Sequence, residues 1–506
     1  MQYISTRGSD DKISAAQAIV TGLSKDGGLF VPDSFPHISA EKIVELATKP
    51  YYERAAYIIG LFLTDFTEDE LLEYSAQAYS TRRYTENRES GFSANEITPL
   101  HQLNENVYFL ELWHGPTGAF KDMALQIMPR LLTASLKKTG ENRKICILVA
   151  TSGDTGKAAL NGFCDIEGTG IMVFYPRDGV SEVQKLQMTS QKGDNVNVVA
   201  VEGNFDDAQT GVKNIFSDEG LAGELNKERF FLSSANSINW GRLVPQIVYY
   251  ISAYCDLLNE NKINNGEKIN FCVPTGNFGN ILAAYYAEKM GLPINRLICA
   301  SNRNDVLTQF INTGVYNKNR PFFTTVSPSM DILVSSNLER LLFEISGKNG
   351  DTVSSYMESL SKDGFYKIDS GVESELGRIF SSGFCSEEDT MKTIKDTFDK
   401  NNYLLDTHTA VAYKVLEDYK KETGDESISV VVSTASPFKF SHAVLNALNP
   451  CAELKDDAGL IDKLSTLTGC TAPKPLADIK NEKPRFDETV KVDGMKESVL
   501  KFIRRQ

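Results

Sequence analysis

Lys121 stands in WHGPTGAFKDMALQ (residues 113–126), where a turn-rich approach runs into an apolar-periodic helix. A lysine at such a junction, flanked by Phe120, Met123, Ala124 and Leu125, is poorly solvated, and desolvation lowers its pKa toward neutrality. A neutral amine in that setting is a nucleophile able to capture an aldehyde as a Schiff base. The competing reading of any lone lysine is a stem lying over apolar surface with its head in water.

Four further segments carry polar chemistry beside strand-like runs. In ATSGDTGKAAL (150–160), Gly153 and Gly156 permit close backbone approach, Thr151, Ser152 and Thr155 supply hydroxyls, and a helix starting near Thr155 points its N–H groups outward. A nucleotide P-loop does not fit, because Thr151 stands where its first glycine would be and Ala158 follows Lys157 in place of Ser or Thr. In PTGNFGNI (274–281), Gly276, Asn277, Phe278, Gly279 and Asn280 have the composition to wrap a phosphate in backbone N–H groups. In SSANSINWGRLVPQ (233–246), Asn236 and Ser237 are neutral donors and Arg242 offers a planar fork suited to phosphate. At the strand end SVVVSTAS (429–436), Ser433 or Thr434 presents a hydroxyl. Taken singly, each is equally an ordinary turn, a solvated arginine or a capping hydroxyl.

The elements around these segments alternate. KICILVAT (144–151), IMVFYP (171–176), NVNVVAVEG (195–203), INFCVPTG (269–276), RLICASN (296–302) and ISVVVSTAS (428–436) are continuous apolar runs of buried strands. Between them EVQKLQMTS, DDAQTGVKNIF, GRLVPQIVYYISAYCDLL and NILAAYYAEKM have helical spacing. The alternation predicts an α/β fold with parallel sheets covered by helices, and glycine loops after strands are where such sheets place ligands. Residues 1–95 read as a mostly helical N-terminal domain and 96–340 as the α/β core in two subdomains. Residues 341–402 are polar and short of strands, which predicts a peripheral helical insertion; 403–506 return to the core and end in a tail.

Composition narrows the function classes. Of the 506 residues, 41% are hydrophobic and 24% charged, as in a soluble globular protein. A net charge of −14 disfavours nucleic acid and anionic membrane as partners, and it requires that an anionic substrate be met by a local cationic site. No run reaches the length of a membrane span, and the first residues carry neither an apolar signal-like stretch nor a basic transit pattern. The eight cysteines are scattered without a C-x-x-C pair, which predicts reduced thiols and a cytoplasmic setting. The five histidines lack metal-ligand spacing, so no metal is expected.

The lysine segment, the GNFGN loop and the NSINWGR segment, in this order, resemble threonine synthases, a family of fold-type II pyridoxal-phosphate (PLP) enzymes related to the tryptophan synthase β fold. Similar stretches include YISTRG (3–8), GLSKDGGLFVP (22–32), VSPSMDILVSSNLERLLFE (326–344) and DTHTAVAY (406–413), so the resemblance runs from residue 3 to about 440. It implies that Lys121 holds PLP and is the catalytic base. It further implies that Gly276, Asn277, Phe278, Gly279 and Asn280 bind the cofactor phosphate and that Thr434 meets its pyridine nitrogen. Thr151, Ser152 and Thr155 would face the substrate carboxylate, and Asn236, Ser237 and Arg242 would hold the substrate phosphate. Many members have Asp where this chain has Asn280; the neutral amide repels a phosphate dianion less. The implied reaction converts O-phospho-L-homoserine and water to L-threonine and phosphate, in a monomer or homodimer. Two alternatives stand beside it: a phospholyase that releases 2-oxobutyrate, and a PLP-binding homologue without activity. Asp331, Arg340 and His408 have no role derivable from the sequence, and His408 reads as a structural hydrogen-bonder.

Overall fold

The computed structural model describes residues 1–79, 97–151, 153–177, 180–450 and 458–506. Two sheets organise it. The larger has six strands in the order Phe380–Phe384, Ile294–Ser301, Ile269–Pro274, Ser429–Ser433, Val107–Glu111, Leu100–Asn104. All neighbours are parallel except the last two, which form an antiparallel hairpin at one edge. The smaller has five parallel strands in the order Thr489–Val490, Val196–Val201, Thr169–Pro176, Lys144–Ala150, Phe230–Ser234. Strands such as Ile269–Pro274 and Thr169–Pro176 are buried along their whole length, because helices cover both faces. That is why their sequences lack polar alternation.

Helix Trp240–Asn259 is buried on nearly every side, as a core helix must be. The N-terminal elements pack on its start. Trp240 sits 5.3 Å from Tyr3 and 5.6 Å from Phe62, ring to ring, and Asn239 donates to the Ile19 carbonyl at 2.9 Å. Arg54 pairs with Asp256 at 2.6 Å further along the same helix.

The stretch 341–402 is mostly helical but is not only a helical insertion. Its Phe380–Phe384 strand forms the outer edge of the six-stranded sheet beside Ile294–Ser301. FSSGF is half-buried and polar because an edge strand has one open side, so it lacks the apolar run that marks an inner strand. Residues 403–506 return to both sheets. Ser429–Ser433 slots between Val107–Glu111 and Ile269–Pro274, and Thr489–Val490 extends the smaller sheet. Helix Met495–Ile503 then buries Met495, Val499, Phe502 and Ile503 in the apolar cluster on the smaller sheet. Among the described residues no helix is long and apolar enough to cross a membrane.

Candidate active site

The loops singled out in the sequence leave the carboxyl ends of parallel strands, where an open α/β sheet leaves a crevice. Thr151–Gly153 follows Lys144–Ala150, Ala235–Asn239 follows Phe230–Ser234, Thr275–Phe278 follows Ile269–Pro274, and Thr434–Ser436 follows Ser429–Ser433. Lys121 arrives from the end of Val107–Glu111 and precedes a short helix, Asp122–Leu125. The approach is pinned to a distant strand end. Ala119 bridges Ala435, Phe120 N–H donates to the Thr434 carbonyl at 2.8 Å, and Ser436 N–H donates to Gly118 at 3.0 Å.

The Lys121 side chain is 12% exposed, with Nζ 5.0 Å from the Phe120 ring centroid. It donates to Ser329 Oγ at 3.4 Å and lies 3.6 Å from Asp154 Oδ2. Burial pulls its pKa down; Asp154 opposes, and the positive charges of Lys439 and Arg242 add to the fall. The expectation of a depressed lysine rests on desolvation, and desolvation is the largest cause here.

The segment after Pro274 turns sharply. Phe278 adopts a left-handed conformation with φ of 62°, a position where a β-carbon is costly, and its buried ring packs 5.7 Å from that of Phe380. Helix Gly279–Lys289 then begins, with its free N–H groups at the loop. Gly276 is required by close approach: a β-carbon there would lie 2.4 Å from the carbonyl oxygen of Ser329. Asn280 Oδ1 accepts from the hydroxyls of Tyr249 and Tyr250, the latter at 2.7 Å. This leaves its buried Nδ2 as a donor with no acceptor among the described residues.

Arg242 lies in the first turn of helix Trp240–Asn259 and is 3% exposed. Its Nη1 donates to the Ala235 carbonyl, its Nε has no partner, and among the described residues no carboxylate pairs with it. Burial without a counter-charge pulls its pKa down to about 10. A buried cation with an unused donor costs free energy unless an anion joins it.

Asn236 and Ser237 lie half-buried on the loop before this helix. Ser237 Oγ accepts from Asn337 Nδ2 at 3.2 Å, and the same amide nitrogen donates to the Asn277 carbonyl at 3.0 Å. Asn337 therefore ties the 236–239 loop to the 276–280 loop. Arg340 holds Asn337 in turn: Nη1 donates to its Oδ1 at 2.5 Å, Nη2 to the Ile238 carbonyl at 2.6 Å, and Nε to the Phe30 carbonyl at 3.0 Å. Arg340 has spent its fork on the framework.

Thr151 Oγ1 accepts from the N–H groups of Gly153 and Gly156 at 3.0 and 3.1 Å. Its lone pairs hold the turn, and only its hydroxyl proton is left for a ligand. Thr155 is half-buried in the first turn of helix Asp154–Phe163. Ser152 lies outside the described residues. Of the two candidate hydroxyls at the strand end, Ser433 is already engaged: it accepts from Trp113 Nε1 at 3.0 Å and lies 3.2 Å from Thr409 Oγ1, whose own proton goes to Asp406.

Several groups around the site carried no signal along the chain. Ser329 touches both Lys121 and the Gly276 turn, and its N–H donates to His408 Nε2 at 3.2 Å. Since Nε2 accepts, Nδ1 carries the proton and donates to Asp406 at 3.0 Å, so His408 is a brace. Asp331 accepts from Asn302, Asn304 and Thr325 at 2.8, 3.0 and 2.7 Å, which closes the loop that presents Ser329. The VSPSMD segment was visible as a shared stretch, but its partners were not.

These residues fit PLP. A desolvated amine, a helix N-terminus with an unused amide donor and a separate unpaired guanidinium match an aldehyde cofactor with a phosphate, plus a second anion. Among the described residues no cluster of His, Cys, Asp or Glu has metal-site geometry.

Comparison with known proteins agrees. A family model described as threonine synthase N terminus matches residues 2–79, one described as pyridoxal-phosphate dependent enzyme matches 92–362, and one described as threonine synthase, C-terminal matches 409–494. Threonine synthase from Pseudomonas aeruginosa is 39% identical over 88% of this chain and 90% of its own length. Threonine synthase-like 1 from Homo sapiens is 41% identical over 88% of this chain, which spans only 60% of that protein. The crystal structure of PLP-bound threonine synthase from Brucella melitensis superposes with a TM-score of 0.86 at 36% identity, covering 100% of both chains. The chain belongs to the threonine synthase family of fold-type II, pyridoxal-phosphate-dependent enzymes.

Proposed function

We propose that this chain converts O-phospho-L-homoserine and water to L-threonine and phosphate, with PLP carried on Lys121. The observation that carries the reading is Arg242, a buried guanidinium without a carboxylate and with an unused Nε, which raises the Coulombic cost of protonating Lys121. A substrate with its own phosphate would answer that charge. In this reading the turn Gly276, Asn277, Phe278, Gly279 and Asn280 holds the cofactor phosphate, and Arg242 with Asn236 and Ser237 holds the substrate phosphate.

The bound cofactor supplies an electron sink for loss of protons next to the substrate amine. Lys121 Nζ would hold the cofactor and, as a free amine, would accept the Cα proton. The Thr434 hydroxyl would meet the pyridine nitrogen, and Thr155 with the neighbouring N–H groups of its helix would orient the substrate carboxylate. Arg242 gains most as the phosphate departs and its charge grows, so its grip favours the transition state over the bound substrate. The burial of Lys121, Asp154 and Arg242 shields these groups from bulk water.

The alternative reading is elimination with release of 2-oxobutyrate; the 41% identity to a protein named threonine synthase-like 1, a name that states no reaction, leaves it open. Incubation of the purified chain with O-phospho-L-homoserine, measuring phosphate, L-threonine and 2-oxobutyrate together, separates the two. Phosphate and threonine in equal amounts support the synthase. Phosphate matched by 2-oxobutyrate supports the lyase, and no phosphate release removes the substrate assignment.

A further inference from the structure

Three buried charged groups stand in a row at the floor of the site. Asp154 opens helix Asp154–Phe163, and Lys439 comes from the short 3-10 turn Pro437–Phe440 beyond Ser433. Lys439 Nζ is 2.8 Å from Asp154 Oδ1, which also accepts from Gln184 Nε2 at 2.8 Å. Lys439 donates in addition to the Thr117 carbonyl at 2.9 Å. The other oxygen, Asp154 Oδ2, is 3.6 Å from Lys121 Nζ. Side-chain exposure is 0% for Lys439 and 3% for Asp154, so solvent screens neither.

We propose that Asp154 and Lys439 are positioning residues that set the basicity of Lys121: Lys439 takes the close ion pair and leaves Lys121 a long, secondary one. The inference rests on Lys121 being the cofactor-bearing base.

Asp154 is the carboxylate in ion-pair contact with both lysines among the described residues, and one carboxylate cannot neutralise two ammonium groups. Gln184 and the Thr117 carbonyl hold the Asp154–Lys439 pair in place, so the carboxylate does not move onto Lys121. Burial pushes the Asp154 carboxyl up, but Lys439 and Lys121 outweigh it and hold it well below the usual carboxylate range. Asp154 is thus a fixed negative charge across the working pH. Lys121 needs opposite things at different moments: to be neutral when it attacks an aldehyde or takes a proton, and basic enough to keep that proton. A carboxylate of its own would lock it as an ammonium. No carboxylate at all, with Lys439 and Arg242 nearby and burial acting, would leave it too weak a base.

The other groups facing this row fit the account. Asp122 is a second carboxylate near Lys439; burial raises its carboxyl to about 6, so it is ionised above neutrality, but its oxygens accept from the Thr117 N–H at 2.8 Å and hydroxyl at 2.9 Å. Lys157, whose amine burial lowers to about 8, feels Lys439 but turns away to Gln191 Oε1 at 2.7 Å. Ser329 and Phe120 face Lys121 as neutral groups.

The test measures Lys121 itself. The full-length chain, freed of cofactor, is pulsed with acetic anhydride from neutral to alkaline pH, and Lys121 acetylation is read by peptide mass. Asp154→Asn is expected to move the midpoint down by about one pH unit, and Lys439→Met to move it up by a similar amount. The double variant is expected to return toward the wild-type midpoint, since a negative and a positive neighbour leave together. Asp154→Glu keeps the charge and lengthens its reach, so its midpoint should not fall below wild type; this variant carries the test if Asp154→Asn does not fold. Shifts of the same sign in both single variants, or no shift in either, would overturn the inference. Adding PLP and reducing with borohydride keeps the two claims apart: a label off Lys121 defeats the reading of the site, whereas a label on Lys121 with unmoved midpoints defeats only the tuning role.

Discussion

Phe120 donates its backbone N–H to the carbonyl of Thr434 at 2.8 Å, so the residue before Lys121 and the end of the Ser429–Ser433 strand move as one body. The lysine root and the Thr434 side chain therefore keep a fixed separation, as a lysine-bound ring with a partner at its nitrogen requires. The neighbouring hydroxyl does different work. Ser433→Ala would strand the Trp113 indole N–H, while the Thr409 hydroxyl keeps Asp406, and should cost about 1–3 kcal/mol in chemical denaturation. Thr434→Val should leave stability near wild type, retain the cofactor and alter its visible absorbance and kcat. Equal loss of stability in both variants would contradict this division.

Arg242→Ala should keep its PLP, because Arg242 is assigned to the substrate phosphate. Loss of a charge-assisted pair costs about 2–5 kcal/mol when the partner charge is left desolvated, so kcat/KM should fall by roughly 30-fold to several thousand-fold. Arg242→Lys should recover little, since a point charge lacks the fork. Cofactor content is read by absorbance and turnover by phosphate release. A variant that lost PLP, yet processed substrate normally once it was resupplied, would move Arg242 to the cofactor site.

Gly276 and Gly279 should respond unequally to alanine. The new β-carbon at Gly276 would meet the Ser329 carbonyl oxygen at 2.4 Å, a backbone atom that cannot rotate aside. At Gly279 it would meet Asn337 Nδ2 at 3.3 Å, a side-chain atom able to shift by tenths of an ångström. Gly276→Ala should lose PLP on dialysis, and Gly279→Ala should hold most of it. Equal retention in both would contradict the packing of the Ser329 loop on this turn.

Glu344 offers a pH-dependent test away from the chemistry. Burial pushes its carboxyl up to about 7 against the pull of Lys348 and Lys289, and Oε1 has no hydrogen bond. The folded pKa lies above the unfolded one, so between the two the native state keeps a proton that the unfolded chain has lost. Stability from this group is full below about pH 4 and is lost as pH rises through about 7. Glu344→Gln should therefore raise Tm at about pH 8, by a few degrees or on the order of 1–3 kcal/mol, with little gain at about pH 4 and kcat unchanged. An equal gain at both pH values would contradict the assignment.

The inner strands were legible because burial on both faces leaves no polar alternation; KICILVAT and IMVFYP could hardly be anything else. Val107–Glu111 is as buried, but its short run merges into the polar hairpin before it and the Trp-His turn after it. Phe380–Phe384 was hidden by its half-polar edge position, and Thr489–Val490 by its length. Within the site, local sequence and the family resemblance together pointed to the groups proposed to meet ligands: an amine before a helix, glycines after a strand, an arginine in a first turn. It could not show their supports. Ser329, Asn337 and Lys439 act across loops that only the closed sheets bring together, and a contact between Asn337 and Ser237 leaves no spacing to read; of the supports, His408 alone was read as a structural hydrogen-bonder, without its partners. Thr151 shows the converse: its place in the loop was legible, while its use in holding that loop was a matter of geometry.

The site gathers three buried or half-buried amines, Lys121, Lys157 and Lys439, and the account depends on which one carries the cofactor. Reduction of the PLP-loaded chain with borohydride, followed by peptide mapping, answers this directly. A single pyridoxyl group on Lys121, with Lys121→Ala folded yet unlabelled and unable to release phosphate from O-phospho-L-homoserine, is the predicted result. A pyridoxyl group on Lys157 or Lys439, or a Lys121→Ala variant that still makes L-threonine, would contradict it.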